Sequence, residues 1–222
     1  MKIYRIIVIV CLGGLLSNCA DEFRNLDQED ISRTELILSA DDYGPYGKEI
    51  ANIKATVLGR KLFQGIAIPI TLVYKPDLGK RTVGYLGNGK IGYCFLSYPA
   101  EPILFHELFH VFQTRAEVVA SRNNEIEAYV AQYLFCKSVD PVHVDDVFEA
   151  ISASFEQLIK QLADYAEWNT SSQKNSQKFH ELYSRALAEL RESNLYGTHT
   201  NYTEEREPYS FPNLYLLLNV IK

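Results

Sequence analysis

The sequence predicts an α+β protein in which a small sheet comes first and helices follow it. Residues 65–76 are rich in β-branched side chains, and Asn88-Gly89 separates two alternating segments, which is a strong hairpin signal. From residue 103 onward, apolar residues recur mainly at helical spacing. With 222 residues, 47% of them hydrophobic, the chain is long enough for one domain with a proper core.

The elements can be assigned in order along the chain. Apolar spacing predicts a first helix over residues 48–63. A strand follows within residues 65–76, where Pro69 favours an edge or bulged position because it cannot donate to a ladder. The hairpin around Asn88-Gly89 supplies two further strands. After the helix at residues 103–114, further helices are predicted over residues 124–136, 145–168 and 174–191.

The chain end is apolar, reading FPNLYLLLNVI, and we expect it to dock on the body of the protein. The sequence therefore predicts one domain over residues 34–222, with a C-terminal helical part from about residue 141.

The first twenty residues are unlike the rest. Lys2 and Arg5 precede the apolar run IIVIVCLGGLL, and the small-residue segment SNC follows it. This order is typical of a secretory signal peptide, and the run is too short to span a bilayer comfortably, since spanning takes about 20 apolar residues. The stretch LLSNC also resembles the lipobox of bacterial lipoproteins. It predicts a signal peptide over residues 1–18 and lipidation of Cys19.

The residues flanking Cys19 refine this expectation. Asn18 stands where lipoboxes usually have Gly, Ala or Ser, so a plain signal peptide or an uncleaved anchor is the alternative. Ala20 stands where an aspartate would signal retention in the inner membrane, and the resemblance therefore favours an exported protein anchored in the outer membrane. Residues 19–33 are acidic and poor in apolar side chains, as a flexible tether would be.

Composition also bears on partners and on the remaining thiols. The net charge of −6 provides no excess of positive charge to neutralise a phosphate backbone, so we do not expect nucleic acid as a partner. If Cys19 is lipidated, Cys94 and Cys136 are the thiols left in an oxidising compartment. Either a disulfide between them or two buried free thiols is consistent with the sequence.

The helix at residues 103–114 carries the chemistry. At about 100° per residue, its apolar side chains fill one arc, while His106, Glu107 and His110 gather on the other. Both imidazoles then point the same way, one turn apart, as two zinc ligands on one helix must. An ordinary amphipathic helix is the alternative interpretation.

A catalytic zinc site usually takes three protein ligands, so a third is needed. In residues 123–135, Glu127 falls on the inward side of a helix, where a carboxylate is costly unless it meets a cation. We therefore predict Glu127 as the third ligand. Two alternatives stay open: Glu127 could close a capping box with Asn124, or Glu125, which falls on the side that looks solvated, could be the ligand instead.

This arrangement resembles the gluzincin class of zinc metallopeptidases, in which HExxH on one helix is joined by a glutamate on a later helix. The resemblance covers His106 to His110 and Glu127-Ala128, together with the preceding strands. It implies a zincin-like fold with an edge strand beside the cleft, a place that residues 91–96 would take. It also implies Zn²⁺ as cofactor and a peptide or protein as substrate.

In such a site Glu107 is the expected catalytic base, which takes a proton from the attacking water and passes it to the leaving amine. A donor to the developing oxyanion is also needed, and His199, Tyr202 and Tyr209 are candidates. The second hypothesis is a non-enzymatic, lipid-anchored binding or assembly protein with a structural metal or none. A purely structural site would have no need of Glu107.

Overall fold

The protein is described by a computed structural model that covers residues 35–36, 46–75, 83–94, 101–114, 121–148, 150–168, 177–194, 196 and 209–219. The chain divides into two units, Met1–Thr34 and Glu35–Lys222. The predicted signal peptide, Cys19 and the whole predicted tether belong to the first unit, which lies outside the described residues.

Four short strands form one mixed sheet in the order β1-β2-β4-β3. Their bounds are Glu35–Leu36 (β1), Thr71–Tyr74 (β2), Val83–Gly87 (β3) and Lys90–Tyr93 (β4). β2 and β4 run parallel, whereas the pairs β1–β2 and β3–β4 are antiparallel. The strand predicted within residues 65–76 is thus shorter than expected, and Pro69 lies before it.

The predicted hairpin is confirmed and joins β3 to β4. Asn88 and Gly89 both have positive φ angles, 51° and 74°, as a tight turn with the right-handed twist of its strands requires. Gly89 also accepts a hydrogen bond from the Thr71 amide at 2.9 Å through its carbonyl oxygen. A Cβ at this position would lie 2.2 Å from the Pro69 carbonyl oxygen, so only glycine fits the turn.

The structure corrects the expectation for the edge strand. Residues 91–93 belong to β4, which lies between β2 and β3, whereas β1 and β3 are the terminal strands of the described sheet. A register shift between Tyr85 and Gly87 places a bulge in β3. The prediction was wrong because hairpin signals identify which strands pair but not which of the two has a second neighbour.

The predicted first helix is divided into two, Gly47–Ala55 (α1) and Val57–Gly65 (α2). Thr56 between them has an extended conformation, and its hydroxyl accepts from the Gly59 amide at 2.9 Å, which caps the start of α2. Apolar periodicity continues across the break, which explains why the sequence did not reveal it.

The remaining described elements are six helices, of which Glu101–Gln113 and Arg122–Val139 pack on each other at the centre. Their bounds are Glu101–Gln113 (α3), Arg122–Val139 (α4), Val144–Val147 (α5), Ala153–Trp168 (α6), Gln177–Glu192 (α7) and Pro212–Asn219 (α8). α4 packs on α3, α6, α7 and α8, so it is buried around most of its circumference. Ser121 accepts a hydrogen bond from the Asn124 amide and begins this helix, rather than Asn124 itself.

The expectation of a docked chain end is confirmed. Phe211, Leu214 and Leu217 are fully buried, and the Lys61 ammonium of α2 donates to the Leu218 carbonyl at 2.8 Å. The described residues therefore form a mostly helical protein with a small mixed sheet, as the α+β prediction has it. Among these residues, none of the helices is long and apolar enough to cross a membrane.

Candidate metal centre

The two histidines of the HExxH segment lie where the sequence predicts, on one face of α3. His106 and His110 are 5% and 8% exposed, and their Nε2 atoms lie 3.1 Å apart. Two imidazole nitrogens at this distance need a proton or a cation between them, because two lone pairs that face each other repel. The pair therefore favours a proton or a metal ion between the rings.

Glu125 of α4 completes the cluster. Its Oε2 lies 3.4 Å from the Nε2 of His106 and 3.5 Å from the Nε2 of His110. Ligands at 2.0–2.1 Å from a tetrahedral zinc ion lie roughly 3.3 Å from one another. The three observed separations agree with that spacing, and the group His106, His110 and Glu125 could hold a metal ion.

The structure thus corrects the choice of carboxylate. The Glu127 carboxylate, only 2% exposed, accepts hydrogen bonds from the Asn213 side chain at 2.9 Å and from the Leu214 amide at 2.7 Å. Gln113 Nε2 is a third donor, at 2.9 Å. Burial raises the pKa of Glu127, and these three hydrogen-bond donors oppose the rise. The sequence predicted that a cation would stabilise this buried carboxylate, whereas in the structure the three donors do so.

The charges around the histidines favour a cation at their centre. Burial opposes the charged form of His110, but the nearby Glu125 carboxylate outweighs this and raises the pKa of His110 to about 9. Burial likewise acts to raise the pKa of Glu125, and the two histidines outweigh it and hold that pKa well below its usual range. The two shifts show that the histidines and Glu125 stabilise each other's charged forms, and that the Glu125 carboxylate places a negative charge beside both imidazoles.

Glutamine side chains orient both imidazole rings. Gln113 Nε2 donates to the Asn124 carbonyl at 3.0 Å, an oxygen that can only accept, so Gln113 Oε1 must face His110. This Oε1 lies 2.7 Å from His110 Nδ1, which therefore carries the ring proton in the neutral form and leaves the Nε2 lone pair for a metal. Gln132 Oε1 lies 3.1 Å from His106 Nδ1 and can orient that ring in the same way.

Glu107 lies beside the cluster without being part of it. One of its oxygens, Oε2, accepts a hydrogen bond from the Tyr85 amide of β3 at 2.6 Å. The carboxylate is 8% exposed and close enough to His110 to raise the pKa of that histidine. β3, rather than β4, is therefore the strand that contacts the proposed base.

Tyr85 is a site residue that the sequence reasoning missed. Its ring stacks on the His110 ring at a centroid distance of 6.0 Å and an angle of 25°, while its amide holds Glu107. Its hydroxyl is buried and, among the described residues, has no hydrogen-bond partner. Side chains alternate between the two faces of a strand, so the sequence could have indicated that Tyr85 shares a face of β3 with Val83. It could not have indicated which helix that face contacts.

Of the three candidate oxyanion donors, Tyr209 lies in the described part of the chain. His199 and Tyr202 lie outside the described residues. Tyr209 stacks on Tyr183 of α7 at a centroid distance of 4.6 Å and an angle of 7°, with the His180 ring at 5.6 Å. The Tyr209 ring is thus a packing element beside α7.

The structure decides between the two alternatives that the sequence left open for the thiols. Cys94 and Cys136 are both buried, and no disulfide joins them. Burial raises the pKa of Cys136 to about 12, which leaves the thiolate scarce at neutral pH. Neither thiol belongs to the described metal cluster.

Comparisons with known proteins found no match to this chain among protein-family models, curated proteins or solved structures. Its function must therefore be argued from the cluster itself.

Proposed function

We propose that the protein is a zinc-dependent peptidase of the gluzincin type with a zincin-like fold. In this proposal His106, His110 and Glu125 hold the zinc ion, and Glu107 is the catalytic base. The observation that carries the proposal is the convergence of three ligand atoms at 3.1, 3.4 and 3.5 Å, with a second carboxylate held beside them. Two imidazoles and a carboxylate form a ligand set that catalytic zinc sites use.

The residues have separate tasks in this reaction. Zinc, when bound, supplies a Lewis acid that polarises the scissile carbonyl and lowers the pKa of water. Glu107 accepts the proton of the attacking water on the oxygen that the Tyr85 amide does not engage, and returns it to the leaving amine. Gln113 and Gln132 keep the ring protons on Nδ1, away from the centre.

The position of β3 supports a peptide as substrate. β3 is a terminal strand of the described sheet, and its Tyr85 touches both His110 and Glu107. An extended peptide can pair with the edge of such a strand next to Tyr85, whose own amide Glu107 engages, and this would carry the peptide carbonyl groups past the metal centre. Hydrolysis of another amide or an ester would use the same residues.

Burial of the cluster supports one alternative, a structural metal in a non-enzymatic binding or assembly protein. The side chains of His106, His110 and Glu125 are only 6%, 10% and 9% exposed, which is typical of a closed site. Three protein ligands and an adjacent carboxylate favour the enzyme, because a closed structural site usually has four ligands and no base.

Glu107→Gln separates the two functions. The amide keeps the size of the side chain but cannot accept the proton, so zinc should stay bound while peptide hydrolysis falls by roughly 10² to 10⁴-fold. Zinc content by mass spectrometry and hydrolysis of a mixed peptide library measure this, with Glu101→Gln, on the first turn of α3, as the control. Hydrolysis at the wild-type rate by Glu107→Gln, or a wild type without zinc or activity, would overturn the peptidase proposal.

We also propose, from residues 1–20 alone, that the protein is exported and anchored through a lipid on Cys19, in the outer membrane of a bacterial envelope. Palmitate labelling should be lost in Cys19→Ala. Labelling that survives this substitution would remove the lipid anchor from the proposal.

A further inference from the structure

The last helix of the described chain reaches the metal centre through one buried carboxylate. Pro212 begins α8, and the Leu214 amide and the Asn213 side chain next to it both donate to Glu127. An anionic side chain at a helix start is stabilised by unpaired amides and by the helix dipole. Glu127 therefore fastens α8 to α4, across 87 residues of sequence.

The same carboxylate reaches the metal ligand His110 through Gln113. Glu127 Oε2 accepts from Gln113 Nε2 at 2.9 Å, and Gln113 Oε1 lies 2.7 Å from His110 Nδ1. The Asn124 carbonyl and an ionised Glu127 can only accept hydrogen bonds, so together they hold the amide group of Gln113 with its oxygen towards the histidine. Hydrogen bonds therefore connect α8 to His110 through Glu127 and Gln113.

We infer that Glu127 and the first turn of α8 form a positioning relay that sets the metal affinity of the site. The inference rests on the proposed metal centre. Glu127 touches neither metal nor substrate; it acts through Gln113, which fixes the tautomer and the ring orientation of His110. Partners that orient a ligand in this way commonly change metal affinity by 10- to 100-fold. Binding is reciprocal, so metal must also tighten the docking of α8.

Two substitutions interrupt the relay from different sides. Glu127→Gln leaves one acceptor oxygen for the three donors that converge on the carboxylate, so that Gln113 is no longer held from the Glu127 side and can turn its own amine towards His110 Nδ1. Asn213→Ala removes one donor of α8 and leaves the buried carboxylate in place. The matched control is Leu216→Ala, because Leu216 lies on the same helix and is 52% exposed.

The experiment measures zinc affinity of the full chain by competition with a chromophoric chelator, after urea unfolding has shown that each metal-free variant is folded. Glu127→Gln should bind zinc about 10- to 100-fold more weakly, Asn213→Ala about 3- to 10-fold, and Leu216→Ala like the wild type. Hydrogen exchange at Leu214 should slow when zinc is added to the wild type and respond less in Glu127→Gln.

A double-mutant cycle with Gln113→Leu distinguishes a relay from general destabilisation. If Glu127 acts through Gln113, adding Glu127→Gln to Gln113→Leu should change zinc affinity by less than about 3-fold. Full additivity, or wild-type zinc affinity in folded Glu127→Gln and Asn213→Ala, would overturn the relay while the metal centre stands. A wild type that binds no zinc would overturn the metal centre and the relay together.

Discussion

Glu125→Ala tests the proposed metal centre most directly, because it removes one of three proposed ligands and leaves both histidines in place. Structural zinc held by four ligands in zinc-finger peptides binds with about 10–16 kcal/mol, so one ligand carries about 2.5–4 kcal/mol. At about 1.4 kcal/mol per tenfold change, zinc affinity should fall by roughly 60- to 700-fold. The carboxylate is also the anionic member of the cluster, which adds to the loss.

The assay is zinc competition with a chromophoric chelator at fixed pH, with Glu181→Ala as control. Glu181 is exposed on α7, so its removal changes the net charge equally without touching the cluster. Circular dichroism of each metal-free variant checks that the fold is kept. Unchanged zinc affinity in Glu125→Ala, with affinity abolished in Glu127→Ala, would refute the geometric assignment and restore Glu127 as ligand.

Three further predictions concern the remainder of the molecule. Because burial raises its pKa to about 12, Cys136 should resist iodoacetamide at pH 8 in the folded protein and react in denaturant, as peptide mass spectrometry can show. Gly89→Ala should destabilise the protein by at least about 1–3 kcal/mol in urea unfolding, since its φ is +74° and a Cβ would meet the Pro69 carbonyl. The hydrogen bond to Asp140 raises the pKa of His143, so its stabilising effect is present below pH 6.5 and is lost as pH rises through the raised pKa. NMR titration should show this raised midpoint, and Asp140→Asn should lower it towards 6.5.

The sequence was sufficient to predict the parts of the site that one element determines. His106, Glu107 and His110 share a helix, so their relative placement follows from helical geometry alone. The same holds for the hairpin, where Asn88-Gly89 imposes positive φ on the turn. Local rules apply wherever the partners are within a few residues of one another.

The third member of the cluster, Glu125, could not be chosen by the same reasoning. Periodicity grouped Glu125 with Gln132 as a solvated face, but α4 is packed on most sides and that face lies against α3. Both polar residues are buried there, and both contact the histidines. Two polar residues seven positions apart on a buried helix mark the face of a site, and this signal is recognisable only when burial of the whole helix is known.

The order in which the chain is made bears on when the site can form. α3 and α4 carry all three ligand residues in the middle of the chain, but Glu127 finds its backbone donor only at Leu214. Closing so long a loop is slow compared with forming two adjacent helices. During synthesis the ligand helices therefore emerge well before the segment that completes their support. A nascent chain halted before residue 212 would present the histidines without that support, so we expect it to bind a metal ion more weakly than the full chain.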